Sequence, residues 1–427
     1  MKLLLCLSLA CAGLLAAQDQ PRAGGAVAAA KNILCLVETC TLSKTDYAML
    51  LDAPEGHAKL HERVRAAVTA GRAKLDGCHL ILGQSGARSR VACVDELIDV
   101  THWGDADSKG LQYPSAFDMQ LLGDLFELEP ALNEEGGRLD FVQCFSRGRF
   151  QGLRLTKADS TLPGVPVAEC FFQKGQSHCR LAPGVPALLS TLSDAQGDAI
   201  TLVFATPQVV EVAAPKAPAP PRTGTVRMTA RVISLDRTKA RALLQKHAAD
   251  GAACLAELKP LLAGKQAVLE HVSTTCTVSG VHAVHQSGER YTYGSEMPPP
   301  SLTEVEAEAP KPTTLKAPGG PEPMALESRD LGFRIDLDPV LAEDGNFVRM
   351  TVTVEHVRMT GNLKDRNWNE HYLELPVFSS QTLSTEYTQM PGTTALIGTL
   401  NPPGATGVNE HKDEERVWLV FMDVNLQ

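Results

Sequence analysis

The chain has 427 residues, of which 44% are hydrophobic and 5% aromatic, and its formal charge at pH 7 is −10. This length favours two to three domains, and the apolar content is sufficient to build hydrophobic cores. The net negative charge argues against binding to nucleic acid or to anionic lipid, so protein partners are favoured over both.

The first 17 residues are typical of a secretory signal peptide. Lys2 precedes a short apolar run that closes on small residues at Ala17. The run is shorter than the roughly 20 apolar residues that a transmembrane helix needs. Lipidation at Cys11 is the less favoured alternative, because the residues before it fit a lipobox poorly. We therefore predict cleavage near Ala17, a flexible segment over residues 18–30, and an exported chain in the periplasm or at the outer membrane. Membrane association without a transmembrane helix stays open.

The cysteines of an exported chain are candidates for disulfides. The sequence contains no CxxC pair, which argues against a zinc site or a thioredoxin-like site. Cys78 and Cys93 lie at equal distances on either side of Ser85-Gly86. If that pair forms a hairpin turn, the two thiols face each other across it. A Cys78–Cys93 disulfide is one prediction, and two buried free thiols are the other.

An ordered similarity links the two halves of the chain. The matched pairs of segments are 34–51 with 227–244, 125–136 with 334–345, 188–192 with 396–400, and 202–204 with 419–421. The order is kept throughout, and the insertions fall in turn-like sequence. These matches predict a tandem duplication. Repeat 1 covers residues 31–212 and repeat 2 covers 224–427, with a Pro/Ala-rich linker at 213–223 and a Pro-rich loop at 298–323 inside repeat 2.

Each repeat is predicted to begin with a strand that leads into helices. Ser43 to Asp46 form a capping box at the start of the first helix of repeat 1, and residues 236–247 have a helical pattern in repeat 2. Leu60, Val64 and Val68 recur at helical spacing. Pro260 is expected to kink or end the second helix of repeat 2.

The rest of each repeat is predicted to be antiparallel sheet. In repeat 2, residues 272–278 and 281–284 predict one hairpin, and the alternating segments 333–338 and 348–355 predict another. Residues 417–422 are apolar without alternation, which is typical of a strand covered on both faces. The predicted fold class is α+β and rich in strands.

The motifs of repeat 2 resemble the C-terminal core of bacterial secretins, the ring-forming outer-membrane channels of type II and type III secretion and of type IV pili. The matching segments are 273–284, 331–345, 376–385, 391–392 and 395–400, and repeat 1 keeps the closing motif at 202–210. The resemblance implies a mostly antiparallel secretin-like sheet in each repeat. It also implies protein partners or self-assembly through strand edges, and a structural role in secretion or pilus assembly.

The chain also departs from the secretin pattern. Secretins carry a lip segment before their last strand, and residues 193–198 and 401–415, which fill that interval here, lack its motif. The second reading is therefore a soluble periplasmic binding or scaffold protein with this fold and no pore. Overlay of the repeats places Cys170 and Cys179 along one strand, whereas the local sequence at Lys174-Gly175 predicts a hairpin that opposes them.

The polar clusters of the sequence do not predict an active site. His102, Asp105 and Asp107 have the residue types of a metal site, but repeat 2 does not repeat the set, and a solvated loop is favoured. Asp336 and Asp338 share a strand face, as paired catalytic carboxylates do, but a solvated face is again favoured. No catalytic, cofactor-binding or metal-binding residue is predicted, no small-molecule substrate is evident, and we do not expect an enzyme.

Overall fold

A computed structural model describes residues 31–51, 56–103, 114–133, 137–156, 165–195, 197–212, 224–296, 325–343, 345–364, 374–404, 406–408 and 415–427. The predicted signal peptide, the segment 18–30, the linker and the Pro-rich loop lie outside these residues.

The first half of the chain contains ten helices and strands among the described residues. They are β1 (Lys31–Ser43), α1 (Lys44–Leu51), α2 (Gly56–Thr69), β2 (Ala73–Gln84), β3 (Ser89–Trp103), β4 (Pro114–Leu132), β5 (Leu139–Thr156), β6 (Val165–Leu181), β7 (Ala187–Ser193) and β8 (Ala199–Glu211).

The second half follows the same order, with two additional strands, β12 and β13. Its described elements are β9 (Thr225–Asp236), α3 (Arg237–His247), α4 (Gly251–Ala263), β10 (Ala267–Val278), β11 (Ala283–Ser287), β12 (Arg290–Glu296), β13 (Ala325–Asp330), β14 (Gly332–Leu341), β15 (Val348–Lys364), β16 (Glu374–Gln389), β17 (Thr393–Leu400) and β18 (Arg416–Leu426).

The strands form two eight-stranded sheets within the described part of the chain. Sheet A has the order β10-β9-β18-β17-β2-β1-β8-β7, and sheet B has the order β11-β14-β15-β16-β3-β4-β5-β6. Strands β12 and β13 pair only with each other in a separate two-stranded ladder. Each large sheet therefore consists of four strands of the second half followed by the four strands of the first half in matching order. The antiparallel, strand-rich architecture predicted from the sequence is confirmed.

Irregularities in the ladders also occur at matching places. Three ladders of the first half shift register once, and so do their three counterparts in the second half. The corresponding ladders are β1–β2 with β9–β10, β7–β8 with β17–β18, and β5–β6 with β15–β16. The shifts lie at Thr39/Cys40, Leu269/His271, Leu188/Ser190, Leu396/Gly398, Phe150/Gly152 and Met359/Gly361. A bulge adds local twist and bends its strand, so the two halves are bent in the same way.

The helices begin where the sequence predicts. The Ser43 hydroxyl accepts a hydrogen bond from the Asp46 N–H at 3.0 Å and donates to its carboxylate at 2.6 Å, so Ser43 caps the start of α1. The Asp236 carboxylate accepts from the N–H groups of Thr238 and Lys239 at the start of α3. Helix α4 continues past Pro260 to Ala263, so the proline does not end it. The proline lies in the last turn, and its carbonyl accepts a hydrogen bond from the Gly264 N–H.

One predicted hairpin is confirmed and one is wrong. Strands β14 and β15 pair directly, as expected. Residues 272–278 and 281–284 do not pair, because β10 lies in sheet A and β11 in sheet B. The chain turns at Gly280, where φ is +80°, and crosses from one sheet to the other. Alternating side chains predict two strands and a turn, but they do not distinguish a hairpin from a corner between two packed sheets.

The hydrophobic core lies between the two sheets. It contains buried side chains from both halves, including Leu80, Phe126, Val232, Val352 and Phe421. Helix α2 packs on sheet A through Val64, in a smaller cluster with Leu202 and Phe204. Residues 417–422 of β18 are buried without interruption, which confirms a strand covered on both faces.

Candidate functional site

The two halves of the chain meet by strand pairing in both sheets. In sheet B, β16 pairs with β3 from Val377 opposite Leu97 to Ser384 opposite Arg90. In sheet A, β17 pairs with β2 at Gly398 opposite Ile81. We call this contact of β16 and β17 with β3 and β2 the inner junction. Through the inner junction, each sheet continues from one half of the chain into the other.

Buried side chains supply further hydrogen bonds across the inner junction. The Thr399 hydroxyl accepts from the backbone N–H of Leu80 at 2.8 Å. The Asn32 side chain donates to the carbonyl of Thr388 at 2.7 Å and accepts from its N–H at 2.9 Å. Each such bond satisfies a backbone group that has left water, so losing the side chain would leave that group unsatisfied.

A buried carboxylate links the helices of the two halves. Glu38 of β1 lies 2.6 Å from His61 Nε2 on α2 and forms an ion pair at 2.5 Å with Arg241 Nε on α3. The Glu38 side chain is 2% exposed. Burial alone would raise the pKa of Glu38, but the hydrogen bond with His61 and the charge of Arg241 outweigh it, so its pKa is lowered. The carboxylate is therefore held in its charged form between the halves.

A second ion pair across the halves lies beside sheet B. Arg329 of β13 donates to both oxygens of Glu96 on β3, at 2.7 and 3.0 Å, and to Glu355 on β15 at 2.8 Å. Glu96 is buried. Bidentate pairs of this kind fix orientation as well as adding energy.

A third polar cluster lines a cavity of about 190 Å³ between the sheets, close to the inner junction. Arg147 of β5 donates to both oxygens of Asp124 on β4, at 2.5 and 2.7 Å, and lies 3.5 Å from Asp76. Burial would raise the pKa of Asp124, but its ion pair and hydrogen bonds with Arg147 hold that pKa well below the usual range. The guanidinium is thus occupied by carboxylates of the same half, and we interpret the cluster as structural.

Residues 401–404 and 406–408 extend from the second half into this region. The Asn401 side-chain amide donates to the carbonyl of Cys78 at 3.0 Å and lies 2.8 Å from His79 Nδ1. Further on, the Thr406 carbonyl accepts from the Phe150 N–H at 2.7 Å. This segment follows β17 and lies against strands of the first half.

The opposite ends of both sheets are unpaired edges within the described structure. Sheet A ends at β10 and β7, and sheet B ends at β11 and β6. Six large aliphatic side chains on β10, on β11 and in the turn between them are exposed: Val268, Leu269, Val272, Val278, Val281 and Val284. Exposed edges with apolar side chains are sites where another strand can add. These outer edges are the candidate functional site.

The structure does not pair the predicted disulfide partners. Cys78 on β2 and Cys93 on β3 are buried free thiols, and no ladder among the described residues joins these two strands. Asn401 contacts both, since its N–H also donates to Cys93 Sγ at 3.4 Å. Burial raises the pKa of both thiols, that of Cys93 to about 12, which keeps them protonated. After β2 the chain crosses from sheet A to sheet B, as it does at residues 272–284, so the hairpin expected around Ser85-Gly86 does not form. The Cys78–Cys93 disulfide itself stays a prediction.

The other polar candidates have structural partners. Asp336 forms an ion pair with Arg334 at 2.8 Å, and Asp338 lies 2.8 Å from His282 on the exposed face of sheet B. His102 is exposed, and Asp105 and Asp107 lie outside the described residues. The residues that the structure describes contain no group of three or more His, Cys, Asp or Glu side chains placed to hold a metal ion. Among the described helices, none is both long and apolar enough to cross a membrane.

The arrangement of Cys170 and Cys179 follows the overlay of the repeats. Both lie on the single strand β6, nine positions apart. The local hairpin prediction at Lys174-Gly175 is wrong, and the two thiols are too far apart along an extended strand to bond.

Sequence reasoning missed the residues that join the halves. Glu38 directly follows the apolar run Leu34 to Val37. A charged residue next to such a run is a signal that a buried partner exists. The identity of the partner has no such signal, because Arg241 lies in an ordinary amphipathic helix.

Comparison with known proteins gives structural matches alone. No protein-family model matches the chain, and no curated protein sequence matches it. Matching structures include the type II secretion system secretin GspD of E. coli K12, at 9% identity and a TM-score of 0.25, over 56% of this chain and 57% of that one. The InvG secretin domain β-barrel of Salmonella matches at 9% identity and a TM-score of 0.24, over 66% of this chain and 88% of that one.

A third match is the V. cholerae type IV competence pilus secretin PilQ, at 8% identity and a TM-score of 0.24, over 96% of this chain and 62% of that one. The chain spans little more than half of the GspD chain that it matches. The similarity to secretins predicted from sequence motifs is thus found again between structures. At these identities and TM-scores it concerns the fold alone and carries no conclusion about function.

Proposed function

We propose that the protein is a non-enzymatic structural component of the bacterial envelope that assembles through the edges of its two sheets, in a role linked to protein secretion or pili. The observation that carries this proposal is the set of unpaired outer edges with their exposed aliphatic side chains. The secretin-like motifs support the secretion or pilus context. The signal-peptide pattern supports export to the periplasm or the outer membrane.

We also propose that the chain arose by tandem duplication of one unit. The matching order of strands in the two halves supports this, because β10-β9-β18-β17 corresponds to β2-β1-β8-β7, and β11-β14-β15-β16 corresponds to β3-β4-β5-β6. The matching bulges support it further, since a bulge inserts a residue at a specific place in a ladder. The domain boundaries at 31–212 and 224–427 follow from it.

The alternative is a soluble periplasmic scaffold or binding protein that has this fold and no pore. It is supported by the contacts of residues 401–404 and 406–408, the part described by the structure at the start of the interval 401–415, where secretins have their lip segment. Asn401 and Thr406 of this interval bind the first half of the same chain. These contacts hold the described part of the interval against the first half of the chain.

Cell fractionation of the full-length protein, with unheated gel electrophoresis of each fraction, tests the proposal. A detergent-resistant multimer in the outer-membrane fraction is the result expected of an assembled envelope component. A monomer in the soluble periplasmic fraction would contradict assembly and favour the alternative.

A further inference from the structure

We propose that two copies of this chain join head to tail, with β6 and β7 of one copy pairing with β11 and β10 of the next in the register of the inner junction. The inference rests on the proposed function, because it takes assembly through the sheet edges as given. It goes further by naming the partner as a second copy, the edges that meet and the residues that face each other.

The strand orders supply the first step. At the inner junction, β16 and β17 of the second half meet β3 and β2 of the first half. The strands that correspond to β16 and β17 are β6 and β7, which are outer edges. The strands that correspond to β3 and β2 are β11 and β10, which are the other outer edges. The edge formed by β6 and β7 therefore corresponds to one side of the inner junction, and the edge formed by β11 and β10 corresponds to the other side.

The ladders then fix the register in sheet B. Ser384 and Arg90 face each other at the inner junction. Arg90 pairs with Glu127 on its other side, and Val284 pairs with Asp336, the counterpart of Glu127. By the same count through β5 and β15, Gln176 corresponds to Ser384. Gln176 of one copy is therefore placed opposite Val284 of the next.

The next position in this register shows an exchange of side-chain sizes. At the inner junction Leu383 faces Val91, and both are fully buried. The corresponding pair at the outer edges is Gly175 and His285. The Ser190 side chain of the same copy takes the space beside Gly175, just as Leu383 takes the space beside Gly398 in the second half, so each half fills this position from one of its two edge strands.

Sheet A repeats a specific hydrogen bond. Thr399 on β17, whose hydroxyl accepts from the Leu80 N–H at the inner junction, corresponds to Thr191 on β7. Leu80 pairs with Leu36 and corresponds to Thr274, which pairs with Thr229 on β9. The Thr191 hydroxyl of one copy is therefore placed to accept from the Thr274 N–H of the next.

Burial at corresponding positions supports the pairing. Val272 on β10 is 52% exposed, whereas its counterpart Cys78 at the inner junction is 0% exposed. Leu269 is 47% exposed and its counterpart Leu75 is 9% exposed, but Leu75 packs in a cluster of first-half residues. The Val272 position is thus covered where a neighbouring half is present and open where none is. A second copy would cover it and remove apolar surface from water.

The two kinds of junction differ in charge. Glu38 and Arg241, the buried ion pair of the inner junction, correspond to Arg231 and Ala48 at the outer edges. Arg231 already forms an ion pair with Asp423 of its own copy. The outer junction therefore lacks this ion pair and depends on strand pairing and aliphatic burial. A contact of this head-to-tail type is heterologous, so it builds a closed ring or an open array, and not a two-fold dimer.

Site-specific cross-linking of the full chain tests this register. Gln176→Cys and Val284→Cys are combined in a Cys276→Ser background, because Cys276 is an exposed thiol on β10 and its removal leaves no competing thiol at that edge strand. Directly opposed residues on paired strands have the spacing of a disulfide. Within one copy, β6 and β11 lie at opposite ends of an eight-stranded sheet, roughly 30 Å apart at about 4.8 Å per strand, so a bond can form only between copies.

The matched control combines Arg180→Cys with Val284→Cys. Arg180 is on the same face of β6, four residues from Gln176, which places it about 13 Å from the Val284 position of the neighbour. After mild oxidation, we expect a ladder of covalent multimers on a non-reducing gel for the first pair and at least a fivefold weaker ladder for the control. Sedimentation of the same samples before oxidation reports assembly independently.

The outcomes separate this inference from the proposed function. Multimers in sedimentation without the Gln176–Val284 link, or with equal linking in the control, would overturn the register while leaving assembly intact. A monomer in sedimentation would overturn both.

Discussion

Arg241→Met at the inner junction removes the cationic partner of a buried carboxylate. Glu38, which is 2% exposed, keeps its contact with His61 at 2.6 Å. Breaking a buried ion pair from one side typically costs 3–5 kcal/mol, because the remaining charge is left uncompensated. We therefore expect Arg241→Met to lower the free energy of unfolding by about 3 kcal/mol near neutral pH.

Removing both charges tests whether the pair acts as a unit. In Glu38→Leu combined with Arg241→Met, no buried charge remains unpaired, and such replacements are often close to neutral. We expect the double variant to be more stable than the sum of the two single changes predicts, by about 2 kcal/mol or more. Arg180→Met is the control, because its ion pair with Asp140 is exposed, with 72% of the arginine side chain accessible. It should cost less than about 1 kcal/mol.

Urea unfolding of the full mature chain, followed by far-ultraviolet circular dichroism, gives these free energies. The reasoning is refuted if Arg241→Met costs no more than the Arg180→Met control, or if the two single changes add exactly in the double variant. Either result would mean that the ion pair does not hold the two halves together.

Three further predictions follow from the site. Val272→Lys places a charge at a position whose counterpart, Cys78, is fully buried. It should weaken assembly by about tenfold, measured by sedimentation across a concentration series. The fold should be unchanged, as measured by circular dichroism. Because the folded-state pKa values of Asp124 and Glu38 are lowered, their contribution to stability is present above the unfolded pKa of about 4 and is lost as pH falls further. The melting temperature should therefore drop steeply below about pH 4, less so in Asp124→Asn, and an equal drop in that variant would contradict the assignment. Alkylation of the denatured, unreduced chain should label both Cys78 and Cys93, which are free thiols in the structure, and a mass that shows the two linked would instead establish the disulfide expected from the sequence.

Local features of this fold were predictable because they depend on neighbouring residues. The capping box at Ser43 and Asp46 and the alternation in β14 and β15 both belong to short segments, and the structure contains them. The uninterrupted apolar run at 417–422 indicated a strand covered on both faces for the same reason. Each of these signals is read within about ten residues.

Features that depend on how the two sheets pack were not predictable in this way. The turns after β2 and β10 read as hairpins, but each carries the chain from sheet A to sheet B. The partners of Glu38 come from two helices, one of them in the other half of the chain. Overlay of the two halves corrected the local error at Cys170 and Cys179, because a second occurrence of the same unit carries information that one segment lacks.

Cryo-electron microscopy of the assembled full-length protein tests the central claim most directly. We predict that both sheets continue without interruption from chain to chain, with β6 beside β11 and β7 beside β10, and that the outline repeats twice per chain. Isolated single chains, or two-fold dimers in which β10 pairs with β10, would contradict it.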